Sequence, residues 1–177
     1  IKFFNAVANN DLLAKITKVT IDYLNLQIAA GVNAVQLFDS WALSLSWNDY
    51  TEFSHQYNQQ IIAGLNRTNV PVISFCKGSS VFAPIMAEAK PDVISVDWNA
   101  DLLNIKNALP KGLAVQGNLD PHILYADQPV IKKHIHQLFE RMRGTEGFIF
   151  NLGHGIMPDI PFDNVKYAID VVKEFRY

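Results

Sequence analysis

Five short clusters hold the residues of this chain that could do chemistry. They are Asp39-Ser40-Trp41, Cys76-Lys77-Gly78-Ser79-Ser80, Asp97-Trp98-Asn99, Gly117-Asn118-Leu119-Asp120-Pro121 and Leu152-Gly153-His154-Gly155. Each follows a short apolar run. His154 stands between two glycines, which permit close backbone approach, and its imidazole can donate or accept a proton near neutral pH. It reads either as a ligand-facing donor or as a structural turn histidine. Ser40 reads equally as a hydroxyl donor or as a helix or turn cap. Asp97 and Asp120 could form a catalytic pair, although capping and loop hydrogen bonds are the commoner use of aspartate at such places.

Other candidates carry less. Lys77-Gly78-Ser79-Ser80 lacks the Gly-x-x-x-x-Gly-Lys-[Ser/Thr] spacing of a phosphate-binding loop. Cys76 reads as a packed thiol, because no acid–base partner can be named for it. His134 and His136 are two apart on a helical stretch and so point to different faces. His55 and His122 read as surface or capping groups, and no metal site is supported.

The elements that must position these clusters form a regular alternation. Asn10-Asp11 can cap a helix running to about Ala30, with Leu13, Ile16, Val19, Tyr23, Leu26 and Ala30 spaced for one buried face and Gly31 as its C′ residue. Strands are expected at 34–38, 70–75, 92–96, 113–116 and 147–151. Helices are expected at about 48–66, with a cap near Asn48, and at 81–89, 100–109, 129–142 and 162–176. The strands are short and continuously apolar, as parallel strands read when helices cover them. Five βα units without a Gly/Ser-rich linker predict one α/β domain over 1–177. In such folds ligands lie at the carboxyl ends of the strands, where the five clusters fall.

Composition narrows the function classes. The chain has 177 residues, 49% hydrophobic and 18% charged, which excludes intrinsic disorder. A net charge of −2 without a Lys/Arg run gives no footprint for nucleic acid or an anionic membrane surface. No apolar run approaches the ~18–20 residues of a membrane span. A single cysteine excludes an internal disulfide and a multi-cysteine zinc site, and it fits a reducing compartment. The chain opens Ile1-Lys2-Phe3-Phe4, with neither an initiator methionine nor a signal-peptide pattern; trimming, a fusion scar or a fragment is expected.

Three segments, Ala34-Val35-Gln36-Leu37-Phe38-Asp39-Ser40-Trp41-Ala42, Gln116-Gly117-Asn118-Leu119-Asp120-Pro121 and Phe150-Asn151-Leu152-Gly153-His154-Gly155-Ile156, resemble the uroporphyrinogen decarboxylase family. Val96-Asp97-Trp98 and Lys77-Gly78 fit the same pattern, and the resemblance covers nearly the whole chain. It implies a (β/α)8 TIM barrel, a homodimer and a cytoplasmic setting. The implied reaction removes the carboxyl groups from the four acetate side chains of uroporphyrinogen, giving coproporphyrinogen, in haem synthesis, with no metal or organic cofactor. It further implies that Ser40 and His154 contact substrate and that Phe38 packs in the cleft.

An eight-stranded barrel needs ~250 residues, and five strands are expected here. The chain is therefore expected to be the carboxyl-terminal part of such a barrel, about its last five βα units. The family's carboxylate-binding arginines, its pyrrole-contacting aspartate and its tyrosine are expected upstream, so no catalytic residue is assigned within this segment. Lys77 and His154 are the cations near strand ends, whereas Arg67, Arg141, Arg143 and Arg176 lie in helices or in loops at the opposite ends. Ser40 and His154 are accordingly expected to orient the substrate rather than supply the proton.

Two alternatives stand beside this reading. Relatives of the barrel transfer methyl groups from corrinoid proteins, using zinc held by His and Cys; Ser74 stands where that His belongs and His154 lies near the place of the second Cys. A half-barrel would also leave strand edges that invite pairing, so a non-catalytic, self-associating fragment is the other alternative.

Overall fold

The computed structural model describes residues 6–176. Five parallel strands, β1 (Val35–Asp39), β2 (Val72–Cys76), β3 (Val93–Ser95), β4 (Ala114–Leu119) and β5 (Phe148–Leu152), stand side by side in their sequence order. Seven helices accompany them: α1 (Ala6–Ala29), α2 (Trp47–Tyr50), α3 (Gln56–Ala63), α4 (Ser79–Glu88), α5 (Leu102–Ala108), α6 (Gln128–Arg141) and α7 (Phe162–Glu174). Short helical turns fill 42–44, 51–55 and 121–125. The strand order never reverses, so the sheet is singly wound and has no switch point.

Partners in a parallel sheet project to the same face. Leu37, Ser74, Ile94, Val115 and Phe148 form one row, and the pairs Asp39–Cys76 and Gly117–Phe150 lie on the same side. The apolar residues among them pack into three clusters against the helices. The opposite face carries Phe38, Phe75, Ser95, Gln116 and Ile149 in one row. Phe38 and Ile149 are exposed there, and Gln116 donates to the Ser95 hydroxyl at 3.2 Å. Among the described residues, β1 and β5 each pair on one side only.

Three expectations are corrected. The first is the buried face of α1. Ile16, Val19, Tyr23 and Leu26 are between 50% and 71% exposed; Thr17 and Leu24 are buried instead, with Ile21 and Ile28 partly so. The helix has two apolar stripes, and the one containing Leu24 packs on α3. Asn10 is no cap; it lies within α1 and accepts the Tyr57 hydroxyl at 3.0 Å. Gly31, at φ +91°, does end α1.

The second is the start of the following helical stretch. Its cap is Ser46, whose hydroxyl accepts from the Asp49 amide at 3.2 Å. The stretch is broken by a wide five-residue turn at 51–55 before α3. The third is His55, which is 6% exposed rather than a surface group. Burial lowers its pKa, against the attraction of Glu88, whose carboxylate lies 3.9 Å from Nε2.

Candidate active site

The carboxyl ends of the strands frame an open cleft of about 520 Å³ on the helix-free face. Gln36, Phe38, Ser40, Phe75, Ser95, Asn151 and His154 help to line it. Phe38, Ser40 and His154, singled out from sequence, thus meet across the sheet from β1 to β5. A second hollow, about 400 Å³, lies between α1, β1 and α3 and shares Phe38 and Ser40 with the first. The first is the candidate site because residues from four strand ends converge on it.

Ser40 follows β1 in a turn held by its neighbour. The Asp39 carboxylate accepts from the Ser54 hydroxyl at 2.5 Å and the Trp41 amide at 3.3 Å, while its carbonyl accepts from the Lys77 amide at 2.9 Å. The exposed Ser40 hydroxyl makes no hydrogen bond among the described residues, so the capping alternative falls away.

Aromatic rings run along the rim in a chain. Phe38 meets Phe75 at 5.8 Å, Phe75 meets His154 at 5.9 Å, His154 meets Trp98 at 6.0 Å, and Trp98 meets His122 at 5.8 Å. His122 Nδ1 lies 2.8 Å from an Asp120 oxygen, and Asp120 also caps the turn at 121–125 through the His122 amide. Asp120 therefore has the capping role.

Asp97 is fully buried and ties its own loop to the turn after β2 and to β4. Its carboxylate accepts from the Gly78 amide at 2.7 Å and from the Ser80 hydroxyl. Its amide donates to Ser79 Oγ at 2.8 Å, and its carbonyl accepts from the Asn118 side chain at 2.9 Å. A carboxylate so saturated is a structural anchor, not a free acid–base group.

Cys76 faces the helices and not the cleft. Burial pushes its thiol up to about 12, partly opposed by the hydrogen bond to Tyr50. Lys77 does not line the cleft, and it has no ion-pair partner among the described residues. Arg67 pairs with Asp92, Arg141 with Asp101 and Arg143 with Glu140, so these three arginines are engaged within the fold. Among the described residues, no group of three or more His, Cys, Asp or Glu could hold a metal ion, and no helix is long and apolar enough to cross a membrane.

Sequence reasoning missed the part Trp98 plays at the rim. Its signal was a large aromatic immediately after a strand-end aspartate.

A singly wound parallel sheet, helices on one face and a cleft over its carboxyl ends define an α/β protein of the TIM-barrel class. The Uroporphyrinogen decarboxylase (URO-D) family model matches residues 4–175, and the chain belongs to that family. It is 46% identical over 165 residues to the uroporphyrinogen decarboxylase of Protochlamydia amoebophila, which covers 93% of this chain and 45% of that one. With the enzyme of the same name from Pelobacter propionicus it shares 45% identity over 162 residues, covering 92% and 48%. The chain thus spans about half the length of these curated relatives. A solved methyltransferase from Methanosarcina mazei shares the fold, with TM-score 0.74 and 21% identity over 90% of this chain and 47% of that one.

Proposed function

We propose that this chain forms the carboxyl-terminal wall of a uroporphyrinogen decarboxylase, the last five βα units of an eight-stranded barrel. The reaction removes the four acetate carboxyl groups of uroporphyrinogen to give coproporphyrinogen and CO2, in haem biosynthesis. Supporting this, the family relatives carry the name of that enzyme, and Phe38, Ser40 and His154 converge on one cleft. The convergence is the observation that carries the reading.

Decarboxylation of an acetate on a pyrrole needs an electron sink. A proton added to the ring carbon adjacent to the one bearing the side chain makes the ring cationic. The bond to the carboxyl group breaks, and its electron pair neutralises the ring as CO2 leaves. The exposed methylene carbon takes a second proton and the ring carbon gives back the first, so one proton is consumed per CO2. Preorganised charge placed where the ring cation develops is the largest contribution expected of such a site. In this chain Ser40 and His154 act as orienting donors to substrate carboxylates, and Phe38 offers an apolar surface to the ring. The anion-binding arginines and the carboxylate facing the ring cation come from the amino-terminal half of the barrel. A homodimer and a cytoplasmic setting go with the same reading, and the reaction uses no cofactor.

The test is turnover of uroporphyrinogen by the complete barrel protein, with products separated by carboxylate number. His154→Ala or Ser40→Ala is expected to lower kcat/KM about 10- to 100-fold, the scale of a lost charge-assisted contact, without abolishing it. No turnover by the unsubstituted complete protein would overturn the function. Abolition by either variant would overturn the orienting role.

A further inference from the structure

His154 is held in the cleft by rings alone. Among the described residues its imidazole makes no hydrogen bond, which leaves both nitrogens for a ligand. Its orientation depends on what surrounds it. Phe75 meets the ring at 65° and Trp98 at 84°, both edge-on arrangements that aromatic quadrupoles favour.

Trp98 reaches further than Phe75, because it also fixes the backbone that carries His154. A Cβ on Gly153 would lie 2.5 Å from the Trp98 amide nitrogen and 3.0 Å from Trp98 Cβ. The loop after β5 therefore rests directly on the loop after β3, and only glycine admits this contact. Trp98 is itself immobilised by the residue before it. Asp97 binds the turn after β2 through its carboxylate and amide, and the β4 residue Asn118 through its carbonyl. The chain of support runs from Asp97 to Trp98, and from Trp98 to both the backbone and the ring of His154.

From this geometry we infer that Trp98 is a positioning residue for the reaction, acting through His154. It holds the imidazole in the rotamer that presents its nitrogens to a substrate carboxylate. The inference rests on the decarboxylase reading for its kinetic consequence but not for its structural one. An edge-to-face pair contributes up to about tenfold in an equilibrium, so an unsupported imidazole loses up to that factor in productive orientation.

A double-substitution cycle in the complete barrel protein separates this role from a general structural one. Trp98→Leu is expected to lower kcat/KM for uroporphyrinogen by about tenfold. Trp98→Phe, which keeps an aromatic ring beside His154, should stay within about threefold of the unsubstituted protein. In a His154→Ala background, Trp98→Leu should cost less than about twofold more, because the group it positions is gone. Multiplication of the two losses, or no effect of Trp98→Leu in the His154 background that carries the imidazole, would overturn the inference. Should the leucine variant fail to fold, the cycle is run with Trp98→Met, for which the same loss of about tenfold and the same lack of a further loss in the His154→Ala background are expected. If the unsubstituted protein turns over no uroporphyrinogen, the function reading fails and the positioning role is read by NMR. The His154 ring-proton signals should then move when Trp98 becomes Phe, and unchanged signals would overturn it.

Discussion

The carboxylate of Asp97 accepts the amide of Gly78 at 2.7 Å, so a residue at the end of β3 holds the turn at the end of β2. The same carboxylate takes the Ser80 hydroxyl. Asp97→Ala leaves these buried donors unmatched, and each costs about 1–3 kcal/mol. Asp97→Asn keeps one accepting oxygen and should fall between the alanine variant and the unsubstituted protein. Urea unfolding followed by circular dichroism checks the order. Equal stability of the asparagine variant and the unsubstituted protein would show that the charge on this anchor is dispensable.

His55 should make stability depend on mildly acidic pH. Its pKa is lowered in the folded state, chiefly by burial, so the unfolded chain binds the proton more readily. Its contribution is therefore complete above the unfolded value of about 6.5 and is lost as pH falls toward the folded value. One proton gives a slope of at most about 1.4 kcal/mol per pH unit. His55→Phe keeps a ring near Tyr50 and cannot take up the proton, so its unfolding free energy should be flatter between pH 7 and the carboxylate range. Asp101, whose carboxyl Arg141 holds below the ordinary range, contributes its own loss only at lower pH.

Cys76 should be inert in the folded protein. Its thiol is buried on the helix side of the sheet, against Met86 Sδ at 3.4 Å, and its pKa is raised to about 12. Because the thiolate is the reactive form, a disulfide reagent at pH 8 should label no cysteine until denaturant is added. Rapid labelling under native conditions would contradict this packing.

The two stripes of α1 predict opposite outcomes for the same change. Leu24→Ala in this 177-residue chain removes a buried side chain and should cost about 2–5 kcal/mol. Leu26→Ala trims a side chain that is 71% exposed and should stay within about 0.5 kcal/mol. Comparison of the two denaturation midpoints decides which face packs.

These residues also mark what the sequence could convey. The short apolar runs of β1 to β5 announce a parallel sheet because they do not alternate with charged residues, and the polar clusters follow from where those runs stop. The apolar run stops at 116, yet β4 extends through 117–119 because β5 supplies their partners, Gly117 opposite Phe150 and Leu119 opposite Leu152. The packed face of α1 was illegible because two apolar stripes share one helix and only α3 chooses between them. For the same reason the burial of His55, the partners of Asp97 and the place of Trp98 are not legible in the sequence. Glu88, Gly78 and His154, which give them meaning, lie far away in the chain. Ser40 and His154 stand out because position after a strand is a local property, whereas Phe38, inside β1, is marked only by the family resemblance.

The strand order has a consequence for how the molecule comes to be made. Val35 pairs with Val72, Ile73 with Val93, Val93 with Ala114 and Val115 with Phe148, so every strand finds its neighbour in the stretch synthesised just before it. Among the described residues, the loops that must close are the βα units themselves. A chain emerging from the ribosome can lay down β2 on β1 and then each later strand on the last, growing the sheet outward from one edge as translation proceeds.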